Sequence, residues 1–365
     1  MKNLKKMTSN TKLAAIYSPY LDTLGGGERY IMTIAEVLSK NGFRVDVLLD
    51  EHLLNIRDDL KLKLAERFNL NLDNVSFIKG PIGKGSNLYQ RLFFLKQYDL
   101  LFYLTDGSIF YPSAKKNFLH IQSPLVGQPT KSVLGRLKLK GWNLIIYNSQ
   151  FTQENAQKNW PIKSQVIYPP VDVEKIKPLK KKKYILSVGR FFGYLKDKKY
   201  ELMIKTFKQI SKELEGWSLH LAGSASEGDE PYLEELKNLA KGLEINFYPN
   251  LSYKELVKLY GESSIYWHAA GFGEEDPTKM EHFGITTVEA MAGGAVPVVI
   301  GKGGQLEIVT KDTGFIWNSP SQLGQYTIKL SKDEALMKKM SPRAVKRAQN
   351  FSKAKFEQKI GEIIK

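Results

Sequence analysis

Two glutamates stand eight positions apart in the stretch from residue 281 to 292, and carboxylates of this kind bind hydroxyl groups. Glu281 precedes a Phe-Gly-Ile-Thr segment, and Glu289 falls about one turn inside a helix that we expect to begin near Thr286. The free amides in the first turn of such a helix can hold an anion. A ligand that combines hydroxyls with phosphate, such as a nucleotide sugar, fits both features.

A second group of residues offers positive charge to phosphate. Arg190 follows a strand predicted at 184–188, and Lys196, Lys198 and Lys199 follow it before the next helix. Arginine grips phosphate oxygens with two donors, and lysine adds a point charge. The alternative is an ordinary exposed basic turn, but the position at a strand end favours the phosphate role.

The first half of the chain contributes two weaker candidates. Gly25-Gly26-Gly27 follows the first predicted strand, and its backbone amides could approach a ligand closely. His120 ends another strand, where it could accept a hydrogen bond from a substrate hydroxyl or stabilise charge. A tight strand-to-helix turn and a structural histidine are the competing interpretations.

The elements that must position these residues alternate between short β-rich runs and amphipathic helical patterns. The predicted strands are 12–17, 44–49, 75–78, 100–104, 117–121, 144–147 and 165–168, then 184–188, 218–222, 245–248, 265–268 and 296–300. This alternation predicts an α/β fold with parallel sheets. The double proline Pro169-Pro170 interrupts it. We therefore expect two doubly wound, Rossmann-like domains, 1–170 and 171–346, facing a central cleft, with a C-terminal helix at about 347–365 that packs back on the first.

Composition narrows the classes of function. The 365 residues include no cysteine and carry a formal net charge of +16. Disulfides and thiolate metal sites are therefore excluded, and a cytoplasmic location is the default expectation. The positive net charge suits an anionic partner, but the sequence contains neither a nucleic-acid-binding motif nor basic residues interleaved with aromatic ones. There is also no Asp-x-Asp pair, so we predict no metal site and expect basic residues and helix amides to meet any diphosphate.

Together these motifs resemble the retaining glycosyltransferases of family 4, which have the GT-B fold. The resemblance runs from the glycine-rich segment at 25–29 through Pro169-Pro170-Val171-Asp172 to Glu281 and Glu289. The stretch 267–305 looks most like the subgroup that contains the mannosyltransferases acting on dolichol-linked oligosaccharides.

The resemblance assigns roles by position. Glu281 matches the glutamate that binds sugar hydroxyls, and Glu289 matches the one that takes the ribose hydroxyls. His120 matches the histidine placed near the donor sugar. The remaining donor-binding matches are Gly26 and Gly27 beside the diphosphate, Arg190 and Lys198 on the diphosphate, Phe283, Gly284 and Ile285 in the loop that meets sugar and phosphate, and Thr286 at the helix start. The loop after Arg190 is longer than the family's, so Lys196 remains an alternative to Lys198.

The expected function is transfer of a hexose, with mannose as the first candidate, from a GDP- or UDP-linked sugar to a glycan or a polyprenyl-linked or glycolipid acceptor. The resemblance implies retention at the anomeric carbon, no metal and no cofactor besides the nucleotide sugar as co-substrate. A nucleotide-sugar epimerase of the same fold, a sugar-nucleotide binding subunit without activity and a basic nucleic-acid-binding protein are the alternatives.

The segment 129–142 mixes basic and apolar residues. Such a segment can lie on an anionic membrane surface and present a lipid-linked acceptor. A surface helix packed on the first domain is the equally weighted alternative. The expected location is therefore the cytoplasm, and the inner face of the membrane is the more specific alternative.

Overall fold

The computed structural model describes residues 11–83, 85–125 and 129–365. The chain forms two compact units, of which the first contains the residues up to Pro170 together with Phe356–Lys365 and the second is Val171–Lys355. The division falls at the double proline. Residues 347–355 group with the second unit, so the returning segment is shorter than the one expected from the sequence.

The first unit contains a seven-stranded parallel sheet. Its strands are β1 (Leu13–Tyr17), β2 (Arg44–Leu49), β3 (Val75–Lys79), β4 (Leu100–Leu104), β5 (Lys116–Ile121), β6 (Leu144–Tyr147) and β7 (Ser164–Val166). They lie in the order β3-β2-β1-β4-β5-β6-β7. Strands that are buried on both faces read as nearly continuous apolar runs, which is why the sequence located them well.

Helices cover both faces of this sheet. They are α1 (Gly26–Lys40), α2 (Arg57–Phe68), α3 (Leu88–Leu95), α4 (Val133–Lys140), α5 (Gln150–Ala156) and the end of α13 (Lys353–Ile364). One apolar cluster joins α1, α2 and α13 to the sheet, and the other joins the ends of α3 and α4 to its opposite face. In α13, Phe356, Ile360 and Ile364 are buried in the first of these clusters.

The second unit has a six-stranded parallel sheet in the order β10-β9-β8-β11-β12-β13. The strands are β8 (Lys182–Val188), β9 (Ser218–Gly223), β10 (Ile245–Pro249), β11 (Ser263–His268), β12 (Val296–Ile300) and β13 (Phe315–Trp317). Only β13 was not predicted. It has three residues, too few for a strand pattern to stand out.

Seven helices accompany this second sheet in the described structure. They are α6 (Tyr200–Ile210), α7 (Glu230–Leu239), α8 (Tyr253–Glu262), α9 (Ile285–Ala292), α10 (Gln305–Ile308), α11 (Pro320–Lys332) and α12 (Glu334–Ala348). The unit has its own core, in which Trp267, Trp317 and Phe207 are almost fully buried. Within the described ranges of the whole chain, no helix combines the length and the hydropathy that crossing a membrane requires.

Candidate functional site

The order of the second sheet places a natural binding site beside β8. The chain proceeds from β8 to β9 on one side and later returns to β11 on the other. The loops that leave the carboxyl ends of β8 and β11 therefore diverge, and ligands of open parallel sheets bind in the crevice that this creates. Arg190 follows β8, whereas His268 ends β11 and Glu281 lies in the loop after it.

Glu281 is held at this crevice by two side chains. Its Oε2 atom accepts a hydrogen bond from Lys198 Nζ at 2.9 Å and lies 3.2 Å from His268 Nε2. The carboxylate is about one quarter exposed, whereas His268 is buried. Among the described residues Oε1 has no hydrogen-bond partner, so one oxygen remains available to a ligand hydroxyl.

The contacts around Glu281 fix its charge. Burial acts to raise the pKa of Glu281, but the Lys198 charge and the His268 hydrogen bond outweigh it and hold that pKa well below its usual range. Burial acts to lower the pKa of Lys198, and the charges of Glu281 and Asp197 outweigh it and raise that pKa instead. Both groups are therefore ionised at neutral pH.

The loop after Arg190 directs only one of the two candidate lysines to Glu281. The stem of Lys198 passes so close to Gly189 that a Cβ atom there would lie 2.7 Å from Lys198 Cγ. Lys196 instead pairs with Glu235 at 2.8 Å and Glu201 at 3.4 Å. This geometry favours Lys198 over Lys196 as the candidate phosphate lysine.

Arg190 directly follows Gly189, the residue that the stem of Lys198 approaches closely. Its guanidinium lies 4.5 Å from the centre of the Phe192 ring, which supports it by a cation–π contact. The side chain is exposed, and among the described residues it has no carboxylate partner. An anion that binds here would meet an arginine that need not first leave an ion pair.

The loop that carries Glu281 is packed against the turn after β12. The Gly304 amide donates to the Glu281 carbonyl at 2.8 Å, and a Cβ atom on Gly303 would lie 2.2 Å from the same oxygen. Gly284 precedes α9 with a φ of 117°, a conformation that favours glycine. The glycines after β12 thus approach the Glu281 loop closely and fix its path.

Side-chain hydrogen bonds also fix the start of α9. Tyr266 donates to Thr286 Oγ1 at 2.7 Å, and Thr287 donates to the buried Gln305 at 2.9 Å. The Phe283 ring is buried and packs on Phe351. What Phe283, Gly284, Ile285 and Thr286 can offer a ligand is therefore mainly backbone, including the first amides of a helix.

Glu289 faces the interior. It is 8% exposed, and its Oε2 accepts a hydrogen bond from the Tyr260 hydroxyl at 2.9 Å. An exposed carboxylate would suit the ribose role that the sequence suggested. The ribose role of Glu289 stays a prediction, because one of its oxygens already accepts from Tyr260. The observed hydrogen bond connects α9 to the end of α8.

In the first unit, the three glycines form a helix start, and Gly26 and Gly27 are already helical. Glu28 accepts hydrogen bonds from the Gly25 amide at 2.7 Å and from Thr23 at 2.8 Å. A Cβ atom on Gly27 would lie 2.2 Å from Gln122 Oε1, so this glycine allows close approach of Gln122. The close approach that this glycine permits is thus made to the side chain of Gln122.

His120 is a neutral, buried histidine. Its ring stacks on Tyr30 with 3.8 Å between centroids, and Nδ1 lies 3.0 Å from the Ile146 carbonyl, to which it donates. Burial lowers the pKa of His120 to about 3, against the smaller opposing effect of the Ile146 hydrogen bond. The buried Nε2 lacks a partner among the described residues. Of the two expected roles, hydrogen-bond acceptance fits this environment and charge stabilisation does not.

Two contributors to the site were not selected from the sequence, namely His268, which contacts Glu281, and Tyr266, which contacts Thr286. Lys199, one of the basic residues named after Arg190, pairs with Glu274 at 2.6 Å in the loop before Glu281. His268 ends a strand, the same signal that selected His120, and could have been found by it. Across the described ranges, no cluster of three acidic, histidine or cysteine side chains has the arrangement of a metal site.

Comparison with known proteins places this geometry in context. Residues 171–347, which begin where the second unit begins, match the family described as glycosyl transferases group 1. The chain is 27% identical over 252 residues to a GDP-Man:Man(3)GlcNAc(2)-PP-Dol alpha-1,2-mannosyltransferase of Dictyostelium discoideum, and this match covers 61% of the chain and 47% of the relative. It is 30% identical over 207 residues to an alpha-1,3/1,6-mannosyltransferase of Kluyveromyces lactis, covering 45% of the chain and 39% of the relative.

These matches span about half of each curated relative or less. Solved structures match over almost the whole chain. A glycosyltransferase from Rickettsia africae superimposes with a TM-score of 0.72 at 17% identity, covering 97% of this chain and 98% of that one. Anabaena HepE in complex with UDP gives 0.72 at 18% identity, covering 97% and 99%. The expected fold, two Rossmann-like domains of the GT-B type, is confirmed.

Proposed function

We propose that this chain, whose residues 171–347 form a glycosyl transferases group 1 domain, transfers a hexose from a nucleotide-diphosphate sugar to a glycan or lipid-linked acceptor. One observation carries the proposal. A carboxylate with one free oxygen, Glu281, lies with Lys198 at the crevice beside β8, and the uncommitted Arg190 follows the same strand. This combination offers acceptors to sugar hydroxyls and cations to diphosphate.

In this proposal each group has a defined task. Glu281 Oε1 accepts a hydrogen bond from a sugar hydroxyl, while Lys198 and His268 hold the carboxylate in place. Arg190 and the first amides of α9 bind diphosphate oxygens, and Lys198 adds positive charge close by. Stabilising the charge that develops on the departing diphosphate is then the main contribution of the protein to the rate.

The stereochemical course that we propose is retention, with the departing phosphate taking the proton from the acceptor hydroxyl on the same face of the sugar. The bond from the anomeric carbon to phosphate breaks while the bond to the acceptor oxygen forms, so no protein nucleophile is required. The ionised state of Glu281 supports this division of work, because a carboxylate with a strongly lowered pKa is a poor proton donor and a poor base.

Mannose is the favoured sugar and GDP the favoured carrier, because the names of the curated relatives specify mannosyl transfer and GDP-Man. We propose metal-independent transfer on the basis of the cations that the site itself supplies. None of these relatives is described as an epimerase or as a nucleic-acid-binding protein, so those alternatives gain no support.

The proposal is tested by titrating GDP-mannose and UDP-glucose into the protein and by measuring mannose transfer to a lipid extract. Arg190→Ala is expected to reduce transfer about 100-fold, as loss of a donor to developing negative charge does elsewhere. Glu281→Gln removes the charge that holds Lys198, and at least a tenfold loss of transfer is expected.

Glu235→Gln is the matched control, since this exposed glutamate pairs with Lys196 away from the Glu281 contacts. It should leave both binding and transfer unchanged. Full transfer by both site variants, with unaltered thermal unfolding, would refute the site assignment. Turnover of donor without any acceptor would instead point to the epimerase alternative.

We further propose that the acceptor is lipid-linked and that the first unit associates with an anionic membrane. The helix α4 exposes Val133, Leu134 and Leu137, and Val133 is 71% exposed. Lysines and an arginine share this short segment, at positions 131, 136, 138 and 140. Apolar area beside basic residues is the usual composition of an interfacial helix.

Flotation with phosphatidylserine vesicles tests this association. Binding is expected at low salt and should weaken several-fold at high salt, because charge contributes to it. Replacing Val133 and Leu134 by serine should weaken it further, whereas replacing the exposed Leu62 of α2 should not. Failure of the protein to float at low salt would rule the association out. A cytoplasmic location remains the accompanying prediction.

A further inference from the structure

A pocket of about 790 Å³ opens at the carboxyl ends of β2 and β3 in the first unit, and none of the donor residues discussed above lines it. Most of its side chains are polar. They include Asp50, Glu51, His52, Lys79, Asn87 and Gln90. A pocket at the carboxyl edge of a parallel sheet is a favoured position for a ligand.

Among the described residues that line this pocket, the two carboxylates of Asp50 and Glu51 outnumber the one ammonium group of Lys79. Lys79 is paired with Glu51 at 3.2 Å, which leaves the carboxylate of Asp50 uncompensated by an ion pair among the described residues. The Tyr17 hydroxyl lies 3.1 and 3.2 Å from the two oxygens of Asp50, and each oxygen retains lone pairs for further donors. The pocket therefore presents hydrogen-bond acceptors on a negative background.

Amide groups at the start of α3 complete the polar set. Asn87 caps this helix through its oxygen, which accepts from the Tyr89 and Gln90 amides at 2.9 and 3.2 Å, and its NH₂ group remains available as a donor. Gln90 offers both a donor and an acceptor. Carboxylate, carbonyl and NH₂ groups around one pocket match a ligand that bears several hydroxyls.

An apolar surface adjoins the pocket on α3. Tyr89 and Phe93 are 81% and 85% exposed, and they lie one turn apart on one side of the helix. Gln90 and Phe93 are three positions apart and are therefore neighbours on the helix surface. The polar pocket and the exposed aromatic side chains thus form one continuous amphiphilic surface.

We propose that this surface binds an acceptor in which a sugar is attached to a lipid, with the sugar in the pocket and the first part of the chain along Tyr89 and Phe93. This inference rests on the proposed transferase function, for which it names an acceptor subsite. It is independent of the proposed contact of α4 with the membrane.

Calorimetric titration of the full chain with octyl α-mannoside and methyl α-mannoside tests both halves of the surface. The octyl compound should bind about tenfold more tightly, since burial of part of the chain adds to the affinity. Asp50→Asn and Gln90→Trp, which remove the charge and obstruct the pocket, should each weaken both glycosides about tenfold. Asp73→Asn, an exposed carboxylate change in the same unit, should weaken neither.

Phe93→Ser and Tyr89→Ser should reduce the affinity for octyl mannoside to that of methyl mannoside and leave the latter unchanged. The inference would be overturned if octyl mannoside bound both pocket variants as tightly as it binds the natural chain. It would also be overturned if octyl sulfate bound the natural chain as tightly as octyl mannoside does, because the sugar would then not be recognised. GDP-mannose is titrated into the same samples. Glycoside binding without any nucleotide-sugar binding would reject the transferase function while the pocket stands.

Discussion

The ionisation of individual residues follows from their neighbours in the folded chain. Glu281 is a carboxylate with a lowered pKa because Lys198 and His268 surround its Oε2 atom. His120, placed at a strand end like His268, has no acidic neighbour in the described structure and is kept neutral by burial. Two histidines with the same sequence signal therefore have different chemistry, and only their surroundings distinguish them.

The pKa of His120 predicts a loss of stability in acid. Unfolding restores a pKa near 6.5, whereas the folded value is about 3, so only the unfolded chain takes up a proton as the pH falls through this range. At pH 5 this group alone should lower the free energy of unfolding by about 2 kcal/mol relative to pH 7. Urea denaturation at both pH values measures the change.

His120→Asn is the comparison variant, because its amide can still donate to the Ile146 carbonyl but does not titrate. Its acid destabilisation should be smaller than that of the natural chain by the same 2 kcal/mol or so. An identical pH dependence in the two proteins would show that the pKa of His120 is the same in the folded and the unfolded chain, and would contradict the prediction.

At the level of elements, the helix α9 is held at both ends. Its start is tied by Tyr266 and Gln305, and its end by Lys181. Lys181 Nζ donates to the carbonyls of Gly261 at 2.8 Å and Ser263 at 2.7 Å and also to that of Gly293, which caps α9. In its protonated form this one side chain donates to carbonyls at the ends of α8 and α9, and burial lowers the pKa of Lys181 to about 7.

Lys181→Met should therefore loosen the helix that carries the proposed donor amides. The substitution removes the Lys181 donor from three carbonyl groups, of which that of Gly261 keeps a second donor, the Leu179 amide. A loss of about 2–4 kcal/mol in the free energy of unfolding is expected. The neighbouring Lys180→Met provides the control, since Lys180 is exposed and should change stability by no more than about 0.5 kcal/mol. Denaturant titration of the two variants compares them, and equal stability would exclude the clamping role.

For the whole molecule, the end of the chain belongs to the unit formed by its beginning. Phe356, Ile360 and Ile364 recur at intervals of four residues on α13 and are buried in the core of the first unit. The core of the first unit therefore includes residues that follow the whole of the second unit in the sequence. This arrangement makes its stability depend on residues almost 200 positions beyond the double proline.

Ile360→Ala tests this dependence. Ile360 is fully buried, and truncation of such a side chain costs about 2–5 kcal/mol. Hydrogen exchange should show lost protection in β1–β7 with little change in β8–β13. Lys359→Ala, one residue earlier on the exposed side, should alter neither sheet. Equal loss of protection in both sheets would contradict the assignment of α13 to the first core.

The sequence by itself determined most of the fold, because parallel strands buried on both faces appear as short apolar runs separated by helices. Of the thirteen strands in the described residues, twelve were predicted, the exception being the three-residue β13. It also located Glu281, Arg190 and Lys198 at the ends of strands or in the loops that follow them. These inferences depend on local patterns, which a single sequence contains.

Only the tertiary structure decided what those residues contact. It turned Lys198 towards Glu281 and Lys196 towards Glu235, although both lie in one loop. It placed Glu289 against Tyr260, buried His120 and brought His268 to Glu281. The physical reason is that charge state and availability depend on groups distant in sequence, which meet only when the sheet order is fixed.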